Sequence, residues 1–291
     1  MPKQPPSTSI LILNHNACDR LRQCLLSIQV FTDVPYELII IDNGSVDGSV
    51  DFLREADLPN LTLVENETNI GCPPARAQGM TLAHGDFVLF LDNDTILTPG
   101  WLQRLLAHCH RDPTIGLIGP TTNYASGGQM RDDIRYHSTA ALATAALKVA
   151  SDNPGRRAPT DRLVGFCMLI SRAVIDKIGC CDARFGKYGF EDDDYTRRAL
   201  IAGFGAYIAH DVFIHHTGNS GRTGDAGDYP ALVEQAWQVF REKWGFSDAL
   251  THVGYANDPD RYAADRSFSA HDDYIPLPDP TSVEPLVTRR T

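Results

Sequence analysis

Two aspartates separated by one residue, Asp92 and Asp94, follow directly on the run FVLFL at 87–91. A run that short and that apolar fits a strand buried on both faces. Carboxylates so spaced at a strand's end can converge on one divalent cation. Hard cations such as Mg²⁺ and Mn²⁺ take carboxylate, water and phosphate oxygens rather than thiols. A cation held this way neutralises a departing diphosphate. Asp and Asn also form ordinary turns, and Thr98 can cap a following helix. A lone pair of this kind favours the plainer use. Its place at the carboxyl end of a strand reverses that preference.

Three other stretches carry candidate chemistry. In IIIDNGSVDGS, Asp42 also ends an apolar run and can accept hydrogen bonds from a base N–H or a ribose hydroxyl. Gly44 and Gly48 permit tight turns there, and Ser45 or Asp47 can cap the next helix. In GFEDDDYTRR, four adjacent acids, Glu191 to Asp194, suit the positive end of a helix. They point in different directions, so they cannot share one role. Asp193 and Asp194 read as structural, pairing with Arg197 or Arg198 one turn on. His215 and His216 lie on an extended segment, where adjacent side chains face opposite ways. At most one of the two readily joins a given site, as a metal ligand in its neutral form.

The elements that must position these residues alternate along the first 120 positions. Strand-like runs at 9–13, 37–41, 61–64, 87–91 and 115–118 alternate with helical patterns at 19–31, 46–56, 74–82 and 101–110. This order predicts a mostly parallel sheet with right-handed crossovers and helices on both faces. Ligands of such sheets bind at the carboxyl ends of the strands. Beyond, a helix at 139–150, a strand at 163–170, a helix at 191–202, an extended run at 207–215 and an amphipathic helix at 229–244 are expected. A flexible polar loop at Asn123, Tyr124, Ser126, Gly127 and Gly128 can line a pocket or act as a lid. The chain divides into a flexible 1–8, an α/β half at 9–120, a second half of the same domain at 121–244, and a Pro- and Asp-rich tail at 245–291. That tail is expected to wrap over the surface or to be partly disordered.

The pieces SILILNHN, IIIDNGSVDGS, NIGCPPARAQG, FLDNDTILTPGW, GPTTNYASG, FGKYGFEDDDYTRRALIAGF and FIHHTGNS together resemble a family 2 glycosyltransferase with the GT-A fold. The pattern is most similar to bacterial members that act in O-antigen and surface polysaccharide biosynthesis. The resemblance implies an inverting transfer from a UDP- or dTDP-sugar, assisted by Mn²⁺ or Mg²⁺. It puts Asp42 on the nucleoside base, with Asn14, Asn16 and Arg76 near the nucleotide. Asp92-Asn93-Asp94 becomes the family's DXD motif, with Asp94 the direct metal ligand and His215 completing the site. Glu191-Asp192 becomes the ED motif, with Asp192 as catalytic base and Glu191 orienting the acceptor or sharing that task. Gln78 stands where the family often has Asn. On its residues alone, Arg76 fits a helix-surface charge equally well, at the start of a helix preset by Pro73 and Pro74.

Bulk properties narrow the field. A formal net charge of −11 disfavours nucleic acid as a partner. Seven cysteines with no CxxC pair fit a reducing, cytoplasmic setting. No apolar stretch is long enough to span a membrane, although peripheral contact and homo-oligomerisation stay open. The acceptor class, whether a glycan, a lipid-linked saccharide, a peptide or a small molecule, is open too. A nucleotidyltransferase needs a Gly-rich, basic loop after the first strand, and Leu13 to Ala17 has neither Gly nor Lys. An oxidoreductase needs GxGxxG there. A non-catalytic nucleotide-sugar binder would not need Glu191 and Asp192.

Overall fold

The computed structural model describes residues 8–218, 229–258, 266–283 and 287–289. The strands are β1 (Thr8–Asn14), β2 (Tyr36–Asn43), β3 (Leu61–Asn66), β4 (Phe87–Asp92), β5 (Thr95–Ile96), β6 (Ile115–Thr122), β7 (Arg157–Pro159), β8 (Cys167–Ser171), β9 (Gly205–His216) and β10 (Val287–Arg289). The helices are α1 (Cys18–Phe31), α2 (Ser49–Glu55), α3 (Cys72–Leu82), α4 (Trp101–Arg111), α5 (Thr139–Asp152), α6 (Arg172–Ile178), α7 (Glu191–Ile201), α8 (Tyr229–Trp244), α9 (His252–Asn257), α10 (Ala270–Asp273) and α11 (Pro280–Val283).

Strand order is β10-β3-β2-β1-β4-β8-β6-β9-β5, with β7 also on β9. β3, β2, β1 and β4 run parallel, as do β6 and β9. β8 is antiparallel to both β4 and β6, and it joins the two parallel groups. The sheet is therefore mostly parallel, as the alternation of elements requires.

Period-two burial splits each central strand between two cores. Ile10, Ile12, Leu38, Ile40, Leu89 and Leu91 face α1 and α4, meeting Leu21, Leu25, Trp101 and Leu105. Leu11, Ile39, Ile41, Val88 and Phe90 face the other way, toward Ala75 and Met80 of α3, Ile175 of α6 and Tyr195 of α7. Both faces are covered, which is why these runs read as apolar throughout.

The predicted strand at 163–170 begins only at Cys167, because Val164 and Gly165 turn toward the cleft described below. Three elements lack a strong sequence signal: the two-residue β5, β7 through Pro159, and α6. The polar tail contributes more order than its composition indicates. Phe268, Ile275, Leu277 and Val283 pack on the α3/α6/α7 core, and β10 pairs with β3 at the sheet edge. Among the described residues no helix is long and apolar enough to cross a membrane.

Candidate active site

The carboxyl ends of β1, β2, β3 and β4 carry a row of polar residues. Register sets Asn14 beside Asp42, and Leu13 beside Asp92. Asn14 Nδ2 donates to Asp42 Oδ2 at 2.8 Å, and Asn93 Nδ2 donates to Asn14 Oδ1 at 2.8 Å. Ser45 N donates to the other Asp42 oxygen at 2.7 Å, closing the turn through Gly44. Asn66 extends the row, donating to Asn43 Oδ1 and exchanging two bonds with Gln78. Gln78 thus serves as amide partner at the position where the family often has Asn.

A cleft of about 430 Å³ opens over this row. Asn14, Arg76, Asp92, Asn93, Glu191 and Asp192 line it, from six points spread between the first strand and α7. The remaining expected residues sit differently. Asp42 is fully buried one layer behind Asn14, with its oxygens on Asn14 and Ser45. Asn16, at φ +49°, turns outward, accepting from Val46 N and lining an adjoining hollow.

Asp92, Asp94 and His216 form a cluster that could hold a cation. One ligand atom from each lies within 4.8 Å of the others. His216 Nε2 is 3.2 Å from Asp94 Oδ1 and 3.6 Å from Asp92 Oδ2. The residue here is His216 and not His215, because side chains alternate along β9. His215 points to the opposite side, where its Nδ1 meets Tyr136 Oη at 2.6 Å. Phe166 stacks on the His216 ring at 4.9 Å and 9°.

Two carboxylates and an imidazole are a donor set that suits Mn²⁺ or Mg²⁺. Asp94 is buried, and a carboxylate at that depth needs a positive partner. His216 Nε2 faces it here at 3.2 Å, and a divalent cation would meet the need. Asp92 sits on the cleft floor with part of its surface in solvent. Burial raises its carboxyl pKa, His216 opposes and Asp94 adds, and together they leave it at about 6. For His216, burial favours the neutral ring, but Asp94 and Asp92 outweigh it and the pKa is raised.

The acids of α7 have separated roles, as their directions require. Arg76 Nη1 donates to Glu191 Oε1 at 3.2 Å, and Gly189 N donates to Glu191 Oε2 at 2.9 Å. Burial raises the Glu191 pKa, Asp192 adds to the rise and Arg76 opposes it. Asp192 accepts from Gly165 N at 2.9 Å and from Asp193 N at 2.9 Å. Asp193 pairs with Arg162, from a loop, rather than with Arg197 or Arg198. Asp194 pairs with Arg198 one turn on, both fully buried. Arg76 is not a surface charge. It is buried on the cleft wall, over the Phe90 ring, with Nη2 3.9 Å from Asp92 Oδ1.

Cys72, Tyr188 and Val164 also line the cleft and were not singled out in the sequence. Cys72 opens α3 and donates from Sγ to Glu191 Oε1 at 3.4 Å. Its place before Pro73 and Pro74, at a helix start facing the ligand side, was the available signal.

The profile of the family described as glycosyl transferase family 2 matches residues 9–179 of this chain. The chain belongs to that family. This glycosyltransferase is 26% identical over 260 residues to the N-acetylglucosaminyl-diphospho-decaprenol L-rhamnosyltransferase of Mycobacterium tuberculosis, covering 79% of this chain and 82% of the relative. It is 26% identical over 217 residues to glycosyltransferase AglE of Haloferax volcanii, covering 72% and 67%. Among solved structures, a Pyrobaculum calidifontis mannosyltransferase in complex with GDP-Man and Mn²⁺ superposes with TM-score 0.54 at 19% identity, over 83% of this chain and 62% of that one. TarS of S. aureus in complex with UDP-GlcNAc gives TM-score 0.56 at 15% identity, over 86% and 69%. The fold of this family 2 enzyme is GT-A.

Proposed function

We propose that this enzyme moves a glycosyl group from a nucleoside diphosphate sugar to an acceptor hydroxyl or amine, inverting the anomeric centre. A single observation carries the reading. One cleft is lined both by Asp92 and His216 of the candidate cation cluster and by Asp192, the carboxylate assigned here as base.

Asp92, Asp94 and His216 would hold Mn²⁺ or Mg²⁺. When bound, the cation supplies positive charge against the charge growing on the diphosphate. Asn14, Asn93 and Arg76 bind the nucleotide side, with Asp42 and Asn16 fixing the loops behind them. Two backbone N–H groups, one on each oxygen, orient the Asp192 carboxylate at the cleft, and a remaining lone pair takes the acceptor proton. The acceptor oxygen or nitrogen bonds to the anomeric carbon, and its proton passes to Asp192. The anomeric bond to the diphosphate breaks, and its electron pair leaves with the phosphate oxygen. Glu191 stays on Arg76 and positions the cleft wall.

The two solved neighbours are complexes with different bases and sugars, GDP-Man and UDP-GlcNAc. What they share is the nucleoside diphosphate sugar, the donor class assigned here, with UDP- and dTDP-sugars the first choice. The mycobacterial relative's name includes an L-rhamnosyl group and a lipid-diphosphate saccharide, so a lipid-linked saccharide is the first acceptor class to test.

The test incubates the protein with UDP-, dTDP- and GDP-sugars, Mn²⁺ and a lipid-linked saccharide acceptor. Nucleoside diphosphate release and the anomeric configuration of the product are followed by NMR. Release that stops with EDTA and returns with Mn²⁺, with an inverted product, is expected. A retained configuration or metal-independent turnover overturns the mechanism.

A further inference from the structure

The connection between β6 and α5 meets both histidines at the end of β9, on opposite sides. Main-chain pairing of β6 with β9 stops at Thr122 opposite Ile214. The Asn123 side chain takes over one step further. Its Oδ1 accepts from His216 N at 2.9 Å, and its Nδ2 donates to His216 O at 3.0 Å. The carboxamide thus replaces a peptide group and clamps the backbone of one residue from both ends. The next residue fixes the ring. His216 Nδ1 donates to Tyr124 O at 2.8 Å, which leaves Nε2 directed at Asp92 and Asp94. A hydrogen bond on one imidazole nitrogen sets which nitrogen is left for a metal. The far end of the same connection is pinned by Tyr136 Oη on His215 Nδ1, with Tyr136 edge-on to both Phe213 and His215.

We infer that Asn123 is a positioning residue for His216, and that the 123–138 connection, latched by Tyr136 on His215, orients that imidazole for a divalent cation. Asn123 is not among the residues lining the cleft or the clustered ligand groups, so its effect on the cation cluster runs through His216. His215, facing away from the cluster, serves the site by holding the loop that holds its neighbour. The inference rests on the cation reading of Asp92, Asp94 and His216.

The probe is Mn²⁺, titrated into the full chain with and without UDP and followed by loss of the free-ion EPR signal. Circular dichroism checks each variant's fold. Asn123→Ala is expected to weaken Mn²⁺ binding about tenfold, the lower end for removing an outer partner of a metal ligand. Tyr136→Phe keeps the ring packing and loses one hydroxyl; it is expected to weaken binding about threefold, a smaller loss on the same basis. His216→Ala is expected to abolish specific binding. Parent affinity in a folded Asn123→Ala, with binding lost in His216→Ala, overturns the positioning role and leaves the cation site standing. If Asn123→Ala does not fold, Tyr136→Phe decides alone, and parent affinity there overturns the inference. Unchanged Mn²⁺ binding in His216→Ala, or none in the parent, overturns the cation reading and the inference with it.

Discussion

Arg76 Nη1 lies 3.2 Å from Glu191 Oε1, joining α3 to the first residue of the helix that carries Asp192. Both side chains are nearly closed to solvent, and Arg76 Nη2 also reaches Gly165 O at 3.0 Å. Gly165 N in turn holds Asp192. One guanidinium therefore braces both acids of the motif, Glu191 directly and Asp192 through the backbone of Gly165.

Removing one partner of a buried ion pair strands the other charge, at a cost of about 3 kcal/mol. Arg76→Met is expected to lose about that much stability in urea denaturation. Arg76→Met combined with Glu191→Gln is expected to recover part of it, since Glu191 then carries no charge to be stranded. A single variant with the parent's midpoint would show that the pair is not a buried brace.

Asp192→Asn keeps an oxygen for the Gly165 N–H but cannot take a proton. Turnover is expected to fall at least about 100-fold, the scale of a lost general base. Nucleotide affinity, measured by calorimetry, is expected to stay at the parent value. Near-parent turnover would move the base to another residue. Glu191→Gln serves as the comparison: its main effect should be on stability, because Glu191 is already bonded to Arg76, Cys72 and Gly189.

Local signals made the central strands and the helices between them legible. Runs such as IIIDN and FLDND are apolar for a strand's length and then abruptly polar, which marks both a strand and its ligand end. The order Glu191–Asp194 was legible as a helix start, and the i,i+4 pair of Asp194 with Arg198 followed from helix period alone. Three features were not legible. Asp193 reaches Arg162 across 31 positions, a pairing only the tertiary fold creates. The side of β9 on which His215 and His216 fall depends on strand register, and a shift of one exchanges them. The burial of Asp42 behind Asn14 is equally a matter of depth, which alternation along β2 does not encode.

Acid sensitivity should come from the salt-bridge network under α7. Asp182 accepts from Arg184 and from Lys243 Nζ at 2.9 Å, and the same Lys243 lies 2.7 Å from Asp194. Burial works to raise the Asp182 pKa, but the Arg184 and Lys243 contacts outweigh it and hold it well below the ordinary 3.8. A carboxyl lowered in the fold stabilises it above the unfolded value and loses that contribution as pH falls below about 3.8. Lys243→Met takes one cation from two buried carboxylates that keep Arg184 and Arg198, so a loss of about 2 kcal/mol is expected at pH 7. The gap between variant and parent should narrow as pH drops from 4 toward 2, since the stability that Asp182 draws from the lysine is lost below its unfolded value. Unfolding curves across that range check it, and a gap that stays constant with pH would exclude the linkage.

The tail is held at one point that tolerates no side chain. Gly179 has φ +74°, and a Cβ there would overlap the carbonyl group of Ile275. The contact is close because the two segments pair like strands, Cys180 N donating to Ile275 O at 2.8 Å and Ile275 N to Ile178 O at 3.1 Å. Around it, Arg198 Nη1 donates to both Ile178 O and Asp273 O, so the α7 helix shares the anchor. Gly179→Ala meets strained backbone and a backbone clash together, and a loss of about 3 kcal/mol or more is expected. The loss should appear with a specific pattern. Ile275 and Leu277 cover the α3/α6/α7 core, so their release should make the chain between 266 and 283 open to protease before the central sheet unfolds. Limited proteolysis with mass spectrometry, beside a urea midpoint, measures both. A variant with the parent's midpoint and cleavage pattern would mean that the tail is held elsewhere.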